Sequence, residues 1–137
     1  MPIIYAGSTS NRRLIMIRDT SSTTGALLSG LTSGTVSCSY WREGNTSWTP
    51  ISLVGSGGGK SLGTYTSGGF IATPRAGYYE FDIPNAVVAA GATWVDIIFY
   101  GATNMLETIY SIDLVKYDPQ NSNNLGLDDL SVVPVLL

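Results

Sequence analysis

The chain has no histidine, a single cysteine and few charges. Each shortage closes off a chemistry. Without an imidazole, no serine or thiol has the usual base to activate it. Zinc loses its common nitrogen ligand, and one thiolate cannot replace it. Cys38 can form no internal disulfide. It lies in the strand-like run Thr35-Val36-Ser37-Cys38-Ser39-Tyr40-Trp41 and is expected to be a buried, inert thiol. Charged residues make up 12% of the chain, about half the usual share, which suits a neutral surface held in a permanent assembly. The net charge is −3, and the seven basic residues (Arg12, Arg13, Arg18, Arg42, Lys60, Arg75, Lys116) are scattered. They make no stripe that could follow a phosphate backbone, so no nucleic-acid partner is expected. No apolar run approaches the ~20 residues of a membrane span, and the N-terminus lacks a basic-then-apolar signal pattern. No membrane partner is expected either.

What remains is a chain of short strands. At 137 residues with 44% hydrophobic content, it suffices for one domain with a real core. Arg12–Arg18 reads as a first strand, closed by the turn residues Asp19-Thr20-Ser21-Ser22. Val36, Cys38 and Tyr40 alternate with Ser37, Ser39 and Trp41 at strand spacing. Trp48–Val54 follows, with Pro50 marking an edge or a bulge. Gly55–Lys60 reads as a flexible loop, and Lys60–Thr66 as a fourth short strand. Tyr79, Phe81 and Ile83 alternate with Tyr78, Glu80 and Asp82 in the clearest strand, which stops at Pro84. Asn85 is placed as the N-cap of one short helix, Ala86–Ala90, ended by Gly91. Thr93–Tyr100 and Leu106–Tyr117 are the last strands, the second with Leu106, Thr108, Tyr110, Ile112 and Leu114 on one face. The pattern predicts an all-β fold: an antiparallel, immunoglobulin-like β-sandwich with one short helix. Its expected extent is 12–117, between an N-terminal arm (1–11) and a C-terminal arm (118–137).

Both ends carry apolar residues beyond polar spacers. Ile3, Ile4 and Tyr5 precede Ala6–Asn11. At the other end, Asp118–Asn124 leads to Leu125, Leu127 and Leu130, then Val132, Val133, Val135, Leu136 and Leu137. Fully burying one Val or Leu is worth roughly 1.5–3 kcal/mol, so such strips are expected to be covered by a partner. Among the aromatic residues, Trp41, Trp48 and Tyr78 are expected to face outward, and Trp and Tyr are what protein interfaces favour. Stacked rings are also the usual platform for sugars, which keeps a carbohydrate-binding module in view.

No enzyme signature survives inspection. Gly55-Ser56-Gly57-Gly58-Gly59-Lys60-Ser61 approaches a phosphate-binding loop, but the required first glycine falls on Val54. No helix is expected after it to hold the phosphate. Glu80 and Asp82 share one strand face, their Cα atoms roughly 6.5–7 Å apart by the strand rise. That distance suits a glycosidase carboxylate pair, but the expected reading is two solvating charges on the outer face. Asp128-Asp129 near Asp118 is the only calcium candidate, and a polar collar is the simpler reading. No catalytic residue, cofactor or metal is expected.

Several stretches resemble a family of tailed-phage virion proteins. They are Met16–Gly25, Tyr40-Trp41-Arg42-Glu43-Gly44, Thr66-Ser67-Gly68-Gly69-Phe70, Gly77–Pro84, Gly101-Ala102-Thr103-Asn104-Met105, and Tyr117-Asp118-Pro119-Gln120 leading to Leu125-Gly126-Leu127. The resemblance spans residues 14–127 and implies a β-sandwich module like those near the N-termini of baseplate-upper, tail-fibre or head-fibre proteins. In long members the Leu-Gly-Leu exit leads into a stalk, which these 137 residues do not contain. The resemblance therefore implies a capsid decoration (cement) protein on the virion surface, made in the host cytoplasm. Its partners would be the major capsid protein and copies of itself, most simply as a homotrimer. A tail, baseplate, neck or fibre-anchor component is the alternative.

Overall fold

The computed structural model describes residues 2–116. Eight strands form two sheets: β1 (Ile3–Tyr5), β2 (Arg12–Met16), β3 (Ser37–Arg42), β4 (Thr49–Ile51), β5 (Phe70–Ala72), β6 (Tyr78–Asp82), β7 (Trp94–Tyr100) and β8 (Thr108–Val115). One sheet runs β1-β8-β7-β3-β4 and the other β2-β6-β5. Taking β2 to β8 as strands B, C, C′, D, E, F and G of an immunoglobulin-like sandwich, the sheets are B-E-D and G-F-C-C′. The expected all-β sandwich is present.

Alternation explains why the sheets face each other. Val95, Ile97 and Phe99 of β7 and Ile112 and Leu114 of β8 turn inward. They meet Ile15 of β2, Tyr79 and Phe81 of β6, and Phe70 of β5 in one buried cluster. Phe81 abuts Phe99 edge-on with ring centroids 4.9 Å apart, and Phe70 stacks on Tyr79 at 5.0 Å. Each such side chain contributes roughly 1.5–3 kcal/mol on burial. The Tyr79 hydroxyl stays satisfied by donating to the Leu28 carbonyl at 2.6 Å, which ties the β2–β3 connection to the core.

Four details differ from expectation. Residues 3–5 are not an arm: β1 pairs with β8 in parallel register, Ile4 opposite Leu114, so the sandwich is not wholly antiparallel. Ile4 is buried in the core rather than offered to a partner. Its strand partner lies more than a hundred residues away, and so remote a pairing has no local signature. Second, the short helix is a 3₁₀ turn, Asn85–Val88. Asn85 lies inside it rather than capping it. Its Oδ1 accepts from the Ser10 backbone N–H at 3.0 Å, and Arg42 donates to the carbonyls of Ala86, Val87 and Ala90. Third, Lys60–Thr66 is not a strand; the third strand of the smaller sheet is Phe70–Ala72, just after Gly68-Gly69. Fourth, Gly55–Lys60 is an ordered turn: Ser56–Gly58 is one 3₁₀ turn, closed by Gly59 at φ 97°. Pro50 stands on the edge strand β4, where its missing N–H costs no ladder bond.

Candidate functional site

The strand register of the larger sheet decides what its outer face offers. Pro50, Ser39, Ile98 and Ile109 lie in one row across β4, β3, β7 and β8. Trp94, Asp113 and Ile3 form a second row across β7, β8 and β1. Trp41 and Trp48 meet edge-to-face beside the first row, with ring centroids 5.5 Å apart and planes at 72°. Ile109 is 60% exposed, Ile3 53% and Trp48 44%. The only charges at outward positions of these five strands are the carboxylates Asp96 and Asp113. Trp48, Ile98 and Tyr100 border a shallow depression of about 220 Å³ with Ser39 and Glu107. Between the two rows lie Trp41, Asp96 and Ser111, and exposed apolar residues set among polar ones in this way mark an interaction face.

This face gathers three of the residues named from the sequence, Ile3, Trp41 and Trp48, with Tyr5 half-buried on the same strand as Ile3. Tyr78 does not join them. It belongs to the other sheet, where the Arg75 guanidinium sits 5.3 Å from its ring centre. Leu125, Leu127, Leu130, Val132, Val133, Val135, Leu136 and Leu137 lie outside the described residues. Sequence reasoning missed Ile98 and Ile109. A signal existed: Thr93–Tyr100 is apolar at both parities, the mark of a strand expected to be covered on both faces.

The outer face of the smaller sheet is different. Glu80 and Asp82, read from the sequence as solvating charges, are drawn beneath the loop that carries Lys60. The Lys60 and Asp82 side chains are fully enclosed, with Lys60 Nζ 2.8 Å from Asp82 Oδ2. The same ammonium contacts Glu80 Oε1 and donates to the Thr64 carbonyl at 2.9 Å. The Thr66 N–H donates to Asp82 Oδ2 at 2.7 Å and the Gly63 N–H to Glu80 Oε1 at 3.2 Å. Burial pushes the Glu80 carboxyl up, but the bonds from Lys60 and Gly63 and the charges of Lys60 and Arg12 outweigh it. The net effect holds Glu80 below its ordinary value. Glycine is needed at position 69, because a Cβ there would stand 2.5 Å from Asp82 Oδ2 and 2.6 Å from Lys60 Cδ. The reading of exposed charges failed because alternation assigns a face, while a loop distant in sequence decides whether that face is wet.

Other candidate chemistry falls away. Burial alone pushes the Cys38 thiol up to about 12, far from thiolate reactivity. The Lys60 ammonium is held by carboxylates, so the glycine-rich loop does not present it to a phosphate. Among the described residues no group of acidic and cysteine side chains is arranged to hold a metal ion. No protein-family model, curated protein or solved structure matches the chain.

Proposed function

We propose that this chain is a non-enzymatic structural protein of a tailed-phage virion, a decoration protein that docks on the major capsid shell. The observation that carries the docking is the outer face of the larger sheet, with Ile109, Ile3 and Trp48 exposed, Ile98 and Trp41 half-buried beside them, and Asp96, Asp113 and Glu107 as the charges around them. Sandwiches solvated on one side place polar residues there; this one places isoleucine and tryptophan. Large aromatic and aliphatic anchors near the centre of a patch are what dominate binding energy. The residue stretches that resemble tailed-phage proteins supply the assembly. The strip from Leu125 to Leu137 supplies a second contact in this reading, and two linked contacts raise avidity without enlarging the core. Copies of the chain would cluster by symmetry, most simply as a homotrimer.

A second reading, surface carbohydrate binding, is favoured by the depression that Trp48 and Tyr100 line together with Glu107. The steep angle between Trp41 and Trp48 argues for docking over sugar, since a flat platform needs coplanar rings. The deciding measurement is the number of copies per purified particle. Near-equimolar amounts with the major capsid protein are expected. A few copies per particle would move the chain to the tail, neck or baseplate. Absence from particles, together with Trp fluorescence that responds to host polysaccharide, would replace the structural role with sugar binding.

A further inference from the structure

On the outer face of the smaller sheet an enclosed amine and an enclosed carboxyl group meet a second carboxylate that is partly exposed. Lys60 Nζ stands 2.8 Å from Asp82 Oδ2, and both side chains are fully enclosed. The carboxyl carbon lies one bond beyond that oxygen. Glu80 touches the same nitrogen. Gly69 leaves the space in which the Lys60 and Asp82 side chains come together.

An ion pair explains much of this arrangement. The ammonium has an acceptor for each hydrogen: Thr64, Glu80 and Asp82. It does not explain Asp82 Oδ1. Among the described residues this is the only buried side-chain polar atom without a hydrogen-bond partner. A carboxylate kept for charge pairing alone would be expected to have both oxygens satisfied. Oδ2 is held by Thr66 and Lys60, while Oδ1 is held by nothing.

We propose that Lys60 and Asp82 are the reacting partners of an intramolecular isopeptide bond, with Glu80 carrying the protons between them. Lys60 gives one proton to the Glu80 carboxylate and becomes a neutral amine. Its lone pair attacks Asp82 Cγ, forming the C–N bond, and the oxygen bonded to the Thr66 N–H takes up negative charge. Glu80 passes the first proton to Oδ1, then carries a second from the nitrogen to the same oxygen. The Cγ–Oδ1 bond breaks and water leaves. The amide keeps one hydrogen on nitrogen, and Glu80 ends as the carboxylate it began as. Two of the ammonium's three protons depart with the oxygen, nothing is oxidised or reduced, and no co-reactant is required. The expelled atom is the one with no hydrogen bond to lose.

Three physical features favour the reaction here. Fixed contact replaces a bimolecular encounter, and well-oriented intramolecular reactions reach effective concentrations far above any in solution. The Thr66 N–H, 2.7 Å from Asp82 Oδ2, is already in place to take up the charge that develops on that oxygen. Glu80 also borders an open groove lined by Ser10–Leu14 and Gly63, which gives the released water a way out. The bond would fasten the 55–68 loop to β6 in a chain that has no disulfide available. It holds whether or not the protein decorates a capsid.

The test is the intact mass of the purified full-length chain, followed by peptide mapping. The expected mass is lighter than the sequence requires by one water, with a branched peptide joining Lys60 to Asp82. Full sequence mass after prolonged incubation of the folded protein would overturn the proposal. So would a lost water mapped elsewhere, such as a succinimide. Glu80→Gln, nearly the same shape, should keep the wild-type far-ultraviolet spectrum and regain the missing water; closure at the wild-type rate would remove Glu80 from the mechanism. Asp82→Asn offers an independent check. It should lose ammonia instead of water and arrive at the same final mass as the closed wild-type chain, and a failure to close in a folded Asp82→Asn protein would count against the pair.

Discussion

The two sheets of this sandwich turn opposite kinds of surface outward. The larger leaves Ile109, Ile3 and Trp48 in the open. The smaller has Lys60 and Asp82 sealed beneath a loop while Leu14, their neighbour on the next strand, is 61% exposed. On both outer faces, residue type and environment are mismatched. The difference lies in what covers them. No described segment crosses the larger sheet at Ile98 and Ile109, whereas the 55–68 loop folds across the smaller one, encloses Asp82 and leaves Glu80 only 16% exposed. Exposure is set by the covering segment as much as by the strand, so an uncovered apolar face asks for a partner and a covered ionic one has its partner already.

The strongest way to break this contrast is to remove the charge at the centre of the covered face. Lys60→Met would leave Glu80 and Asp82 beneath the loop with neither a cation to pair with nor an amine to join. Breaking a buried pair in this way costs about 3–5 kcal/mol, to be read as a fall in the denaturation midpoint. A loss no larger than that of a surface substitution would mean the cluster is wetter than its geometry indicates.

Acid should act on the same face. In the folded chain with Lys60 and Asp82 unjoined, Glu80 is held below its ordinary value. Its contribution is therefore complete above the ordinary glutamate value and lost as pH falls through the lowered, folded one. Glu80→Gln should flatten the decline of stability with falling pH across that window, measured by urea titration at a series of pH values. An unchanged slope would assign the acid sensitivity to other carboxylates.

The smallest effect on folding is expected on the larger sheet. Replacing both Trp48 and Ile109 with Ser should change stability by only about 0.5 kcal/mol per site, because exposed side chains support little of the fold. Binding to particles should nevertheless collapse. A protein that unfolds on this change would show that the bare face is part of the folded core's support, and the comparison between the sheets would fail.

Much of the sandwich was legible from alternation. Arg12–Met16, Ser37–Arg42, Tyr78–Asp82, Trp94–Tyr100 and Thr108–Val115 all fall within or beside runs that alternate in the sequence. The strands that escaped notice depend on distant partners. Ile3–Tyr5 exists because β8 accepts it. Phe70–Ala72 is three residues long, begins after Gly68-Gly69, and is held by β6 and by the bond from the Phe70 N–H to the Val54 carbonyl at 2.8 Å. The candidate sites divide in the same way. Trp41 and Trp48 were conspicuous by residue type, and Ile3 by its place in an apolar tip. Ile98 and Ile109 needed the register between strands, and the Lys60 cluster needed a loop closing over residues twenty positions further along the chain.

The parallel pairing of β1 with β8 also bears on force. Because Ile3 lies opposite Asp113 and Tyr5 opposite Val115, tension between Pro2 and Lys116 would draw the two strands past each other along their length. The hydrogen bonds that join them, including Ala6 N–H to the Val115 carbonyl and Asp113 N–H to the Pro2 carbonyl, both near 2.8–2.9 Å, would then be loaded together in shear instead of opening one at a time like a zip. A domain strung between two moving neighbours would yield late and all at once, holding its shape up to a threshold load.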